Sequence, residues 1–192
     1  MVGIEMGALD MKHISCAFTG HRPNKFPWRE NESDSRCVAL KVALAAQIAE
    51  LARSGVTQFL SGMGEGVDLW SAISVLELRK ENPALKLHCI LPCIGQADKW
   101  SDSARKLYDW LLEQADSRIY VNREYTQNCM MERNRFMVNH ASVLLAVCKN
   151  VNERRGGTAA TIRYAKKGGK EIILLNPLTL SVTSEGFSPD LR

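Results

Sequence analysis

Four short stretches of this chain concentrate side chains and backbone types suited to holding an anion. The first, Thr19-Gly20-His21-Arg22-Pro23-Asn24-Lys25, gathers a hydroxyl, a glycine and three basic or potentially basic side chains. An arginine there can grip a phosphate or carboxylate through two parallel N–H bonds, and the proline stiffens the exit. The second, Ser61-Gly62-Met63-Gly64-Glu65-Gly66-Val67-Asp68, has three glycines within five residues. Such a backbone can turn tightly and aim amide N–H groups at a ligand from a helix amino end. The third, Arg154-Arg155-Gly156-Gly157-Thr158, offers the same donors at the start of a later helix. The fourth, Met131-Glu132-Arg133-Asn134-Arg135-Phe136-Met137, reads as helix. Arg133 is expected to stand exposed on it and lean over the site. Each stretch also has an ordinary structural reading: a turn that needs glycine, a solvated arginine, or an acid (Asp68) placed to favour a helix dipole.

Several familiar chemistries do not fit. The glycines at 62, 64 and 66 are spaced GxGxG rather than GxGxxG, and they follow a second strand, not a first. No GxxxxGK[ST] occurs, and Gly168-Gly169-Lys170 precedes a strand rather than a helix. Nicotinamide dinucleotide binding of the usual kind and P-loop hydrolysis are therefore disfavoured. Among the six cysteines, Cys89 and Cys93 form a CxxxC pair with no second ligand pair to match. Packing, not metal or disulfide, is expected of them, with no metal and no required cofactor.

These stretches need elements to position them. Six strand-sized apolar runs are expected at Ile14–Thr19, Gln58–Ser61, Leu87–Pro92, Arg118–Val121, Val143–Cys148 and Ile172–Asn176. Several are apolar on successive residues, the pattern of strands covered on both faces. Between them lie amphipathic segments. In Arg36–Arg53, Leu40, Leu44, Ile48 and Leu51 keep a helical period and Gly55 is a natural stop. Val67–Lys80 ends before Asn82-Pro83, Ser101 can cap a third helix, and two more span Gln127–His140 and Thr158–Lys167. Strand and helix alternating this often imply an α/β, doubly wound, mostly parallel sheet with helices on both faces, a Rossmann-like architecture over residues 13–176. Residues 1–12 and 177–192 read as tails. In such sheets ligands sit beyond the carboxyl ends of the strands, where the chemistry-bearing stretches fall.

The chain is 192 residues long, 45% hydrophobic and 24% charged, which suits one globular domain with a substantial core. A net charge of +4 accommodates an anionic ligand but does not by itself argue for nucleic acid. No apolar run approaches the roughly 20 residues of a membrane span, so no membrane partner is expected. Met1–Lys12 lacks a sustained apolar block. A reducing, cytoplasmic setting is expected.

The four stretches together, TGHRP at 19–23, GxGxGxD ending at Asp68, MxxRN at 131–134 and GGT at 156–158, resemble the SLOG superfamily. That group holds the LOG nucleoside-monophosphate phosphoribohydrolases, the DprA/SMF proteins and the YpsA-like proteins, and the order and spacing look most like the YpsA-like branch. The resemblance implies a nucleotide-type ligand held by Thr19, Gly20, His21, Arg22, the loop from Gly62 through Met63, Gly64, Glu65 and Gly66 to Asp68, Arg133, Asn134, and Gly156, Gly157 and Thr158. It also implies that a homodimer can form.

In LOG enzymes an Arg in MxxRK and a Glu shortly after PGGxGT carry out glycosidic cleavage. Arg133 matches the first, with Asn134 in place of Lys. The second has no match, because Ala159, Ala160 and Thr161 follow Thr158. Breaking an N-glycosidic bond needs an acid or base near the ribose, and Glu65 or Asp68 could supply it from the opposite loop, Glu132 less well. A sensing or regulatory nucleotide-binding protein is therefore the leading reading. A phosphoribohydrolase-like enzyme is the alternative, so whether the site is catalytic stays open. DprA-like single-strand DNA binding comes third, with only Arg163, Lys166, Lys167 and Lys170 behind it, and nucleic acid is expected to be an unlikely partner.

Overall fold

A computed structural model describes residues 14–149 and 156–186. The elements in chain order are β1 (Ser15–Gly20), α1 (Ser35–Arg53), β2 (Gln58–Ser61), α2 (Val67–Arg79), β3 (Lys86–Leu91), α3 (Asp102–Gln114), β4 (Ser117–Tyr120), α4 (Cys129–Asn139), β5 (Val143–Val147), α5 (Gly157–Lys167), β6 (Glu171–Leu175) and β7 (Val182–Glu185). They form one seven-stranded sheet in the order β4-β3-β2-β1-β5-β6-β7. The first six strands run parallel, and β7 runs antiparallel to β6.

Successive residues of β1 and β5 serve opposite faces, which is why their runs are unbroken. Cys16 and Phe18 of β1, with Val143, Leu145 and Val147 of β5, join the core under α1, α2 and α3. Ala17, Leu144 and Ala146 join a second core under α4 and α5. Helix ends follow local chemistry. The Asp34 carboxylate accepts from the Arg36 amide at 2.9 Å to open α1, and Ser101 Oγ accepts from the Ala104 amide at 3.3 Å to open α3. The sheet is thus doubly wound, as the alternation of runs required.

One boundary changes. The segment from 177 onward, expected to be a tail, contributes β7, with Val182 paired to Leu175 and Glu185 to Ile172. All four residues of β7 are exposed. An edge strand with neither face buried carries no hydrophobic alternation, so its sequence gives no strand signal. The first tail lies outside the described residues. Among the described residues, no helix is long and apolar enough to cross a membrane.

Candidate functional site

The strand order reverses between β1 and β5. From β1 the chain moves outward through β2, β3 and β4, then returns to β5 and continues through β6 on the other side. Connections therefore diverge at the carboxyl ends of β1 and β5 and leave a crevice between them. A cavity of about 890 Å³ opens there. Thr19, Gly20, His21 and Arg22 line it from the end of β1, Gly64, Glu65 and Asp68 from the loop after β2, Arg133 and Asn134 from α4, and Gly156, Gly157 and Thr158 from the start of α5. Gly62, Met63 and Gly66 do not line it. Arg154 and Arg155 lie outside the described residues.

The loop after β2 is held by its own neighbours. Asp68 Oδ2 accepts from the Gly64 amide at 3.1 Å, and Ser61 Oγ accepts from the Met63 amide at 3.1 Å while donating to the Asp68 carbonyl at 2.9 Å. Gln96 Nε2 donates to the Gly62 and Met63 carbonyls at 3.2 and 2.6 Å. Two of the glycines answer to packing. A Cβ on Gly62 would coincide with the Arg133 guanidinium, and one on Gly66 (φ +87°) would stand 2.9 Å from the His21 carbonyl oxygen. Gly20 makes similar room, since a Cβ there would fall 2.5 Å from the Val67 side chain. Met63 itself has φ of 56° and is fully buried.

Arg133 departs from expectation. It is only 7% exposed, not a surface residue leaning over the site. Its Nη1 donates to the Gly62 carbonyl and lies 3.9 Å from Asp68 Oδ2. Burial pushes the Asp68 carboxyl above its usual range, against the pull of Arg133 and the Gly64 amide. Burial likewise lowers the Arg133 guanidinium, with Asp68 opposing. A buried cation needs partners on every side, and helix periodicity cannot reveal partners that come from elsewhere in the chain.

A directed chain of hydrogen bonds then links α4 to α5. Arg133 Nε donates to Asn134 Oδ1 at 2.8 Å, Asn134 Nδ2 donates to Thr161 Oγ1 at 2.9 Å, and Thr161 Oγ1 donates to the Gly157 carbonyl at 2.8 Å. Asn134 thus has a structural task that a lysine could not perform, because it both accepts and donates. The start of α5 is otherwise open. Gly156 (φ +111°) provides no side-chain cap, and among the described residues a Cβ on Gly156 or Gly157 would meet nothing within 4 Å. The first amides of this helix have no intrahelical acceptor.

Sequence reasoning missed Phe26, Arg29, Gln96, Met130, Lys149 and Leu178, all of which line the cavity. Gln96, Lys149 and Leu178 follow β3, β5 and β6, so reading every loop after a strand would have reached them. The lining carries Arg22, Lys25, Arg29, Arg133 and Lys149 against only Glu65 and Asp68. Among the described residues, Arg22, Lys25, Arg29, Lys149 and Glu65 carry no ion pair or side-chain hydrogen bond. The arrangement can attract and orient an anion. Its one unengaged carboxylate is Glu65, because Asp68 is committed to the loop, and Glu132 accepts from Asn122 at 2.9 Å away from the cavity lining. No group of three or more His, Cys, Asp or Glu among the described residues could hold a metal ion. All six cysteines are buried and outside any disulfide, and burial pushes the thiols of Cys16 and Cys89 up to about 12.

Comparison with known proteins bears on this site. A UPF0398 protein of Bacillus thuringiensis (strain Al Hakam) is 29% identical over 157 residues, covering 80% of this chain and 83% of that protein. A UPF0398 protein of Bacillus cereus (strain G9842) is 28% identical over 156 residues with the same coverage. Among solved structures, DNA processing protein A from Helicobacter pylori is similar with a TM-score of 0.56 at 16% identity, over 85% of this chain and 66% of that one. That structure concerns single-stranded DNA binding, which overturns the expectation that set nucleic acid aside as a partner. The basic cluster near the end of α5 was too weak a signal to weigh against it. A family model described as the YspA SLOG family matches residues 16–180, and this chain belongs to that family.

Proposed function

We propose that this protein binds a nucleotide or nucleotide derivative in the crevice between β1 and β5, with a phosphate at the amino end of α5, and acts as a sensing or regulatory protein. The observation that carries this reading is the positive charge of the cavity, unpaired among the described residues, set beside a helix start that no described side chain caps. The absence of an acid after Gly156-Gly157-Thr158 favours binding over glycosidic cleavage. A thermal-shift panel of nucleotides tests it. A ligand that binds only the folded state at a hundredfold excess over Kd adds about 2.7 kcal/mol, or roughly 5–11 °C for a domain of this size. A panel at millimolar concentration that moves nothing contradicts the reading. Release of ribose 5-phosphate would assign hydrolysis instead.

A second reading, single-stranded DNA binding, draws support from the likeness to DNA processing protein A. Its mark is steep salt dependence, with log K falling by about 0.7 per contacted phosphate for each unit of log salt. An oligonucleotide that competes with mononucleotides would place both in one crevice.

A further inference from the structure

Several surface cations of this protein are neutralised, Arg36 by Asp34, Lys41 by Glu32, Arg79 and Lys86 by Asp116, and Lys166 by Glu185. Along the crevice Arg22, Lys25, Arg29 and Lys149 share one cavity, and none has such a partner among the described residues. The charges also come from separate places. Lys149 follows β5 on the side of the α5 start, whereas Lys25 and Arg29 stand on the segment between β1 and α1. The lining spans the ends of β2, β1, β5 and β6, four adjacent strands and so about 14 Å across. Arg29 is held at φ of 50°, a conformation that costs an arginine free energy and is retained where surroundings or function demand it.

From this we infer that the ligand carries two phosphate groups, as in a nucleoside diphosphate: one phosphate sits at the α5 start beside Lys149, and Lys25 and Arg29 hold the second. This rests on the nucleotide reading of the same crevice and adds the number and placement of its anions.

The test compares matched pairs, AMP with ADP and CMP with CDP, by calorimetry on the wild-type protein and on Arg29→Gly. Glycine adopts a positive φ without strain, so this variant removes the guanidinium while keeping or raising the melting temperature. A charge-assisted contact predicts that the diphosphate binds about tenfold more tightly than its monophosphate in the wild type. In Arg29→Gly that ratio should fall toward one, and Lys25→Ala should lower it independently. Equal affinity for mono- and diphosphate in the wild type overturns the inference while leaving the nucleotide reading intact. So does a ratio that survives both substitutions. Binding of neither member overturns both, and an oligonucleotide that binds more tightly than any diphosphate replaces the pyrophosphate with successive phosphodiesters.

Discussion

The turn at Ser61–Val67 and the turn at Gly156–Thr158 both set glycines before a helix on the same rim of the sheet, and in sequence they suggest the same task. Their surroundings differ. In the first, Asp68, Ser61, Gln96 and Arg133 bond the backbone from inside the protein, and Gly62 and Gly66 are glycine because neighbouring atoms leave no room for a Cβ. In the second, no described side chain caps the helix and a Cβ on either glycine would meet no described atom within 4 Å. One turn spends its donors and acceptors on the fold, and the other lines the cavity with no side-chain cap among the described residues. A glycine-rich turn therefore reports a ligand only when the protein itself does not occupy it. The first turn serves as the wall, and the second as the proposed seat.

The largest effect should come from dismantling the wall. Arg133→Ala leaves the largely buried Asp68 carboxylate without its cation and the Gly62 carbonyl with only Gln96 as donor, a loss of about 3–5 kcal/mol. Melting of the ligand-free protein should fall by roughly 6–20 °C. The double substitution Arg133→Met with Asp68→Asn should recover much of this, since an amide can still accept from the Gly64 N–H. An unchanged melting temperature for Arg133→Ala would mean that the wall is not held from within, and the contrast between the turns would collapse. Gly20→Ala comes next. It drives a Cβ to 2.5 Å from Val67 at the first helical position of α2, an overpacking worth about 1–3 kcal/mol that chemical denaturation can read.

The difference between the turns was only partly legible in the sequence. Strands buried on both faces, such as β1 and β5, announce themselves by unbroken apolar runs, and the rule that ligands sit past strand ends located the rim. Which glycines face a ligand could not be read, because the atoms that exclude a Cβ belong to residues far along the chain. Gly62 and Arg133 are 71 residues apart. The burial of Arg133 was hidden for the same reason. Arg29 and Leu178 escaped because one sits deep in a long loop and the other beyond the expected end of the domain. The strand β7 escaped because it is polar and exposed.

A third prediction concerns a buried group whose needs are met, like those of the wall, within the fold. His88 is 3% exposed; its Nε2 donates to Gln58 Oε1 at 2.5 Å, and its Nδ1 accepts from Ser117 Oγ at 2.7 Å. Burial holds its pKa below the ordinary 6.5, despite Asp116 nearby. The unfolded chain then binds a proton that the folded one resists, so stability is full above pH 6.5 and declines as pH falls below it. Each unit of depression is worth about 1.36 kcal/mol. Melting temperatures from pH 8 to 5 should show that slope, and His88→Asn should flatten it. A profile with the same slope in both proteins would detach the effect from His88.

The smallest effect is the sharpest test of the second turn. Gly157 is the first residue of α5, its φ is not in the left-handed region, and among the described residues a Cβ there would meet nothing within 4 Å. Gly157→Ala should therefore stabilise the ligand-free protein by about 0.4–1 kcal/mol, through the reduced freedom of the unfolded chain. That corresponds to a rise of roughly 1–4 °C. The added methyl also occupies space beside the first amides of the helix, where the proposed phosphate must approach closely. The nucleotide-induced shift should shrink even as the ligand-free protein melts higher. Gly156→Ala differs, because φ of +111° makes any side chain costly there and would confound stability with binding. If Gly157→Ala raised the baseline and left the nucleotide shift whole, the seat would have to lie elsewhere in the cavity, and the openness of this turn would be a property of the fold alone.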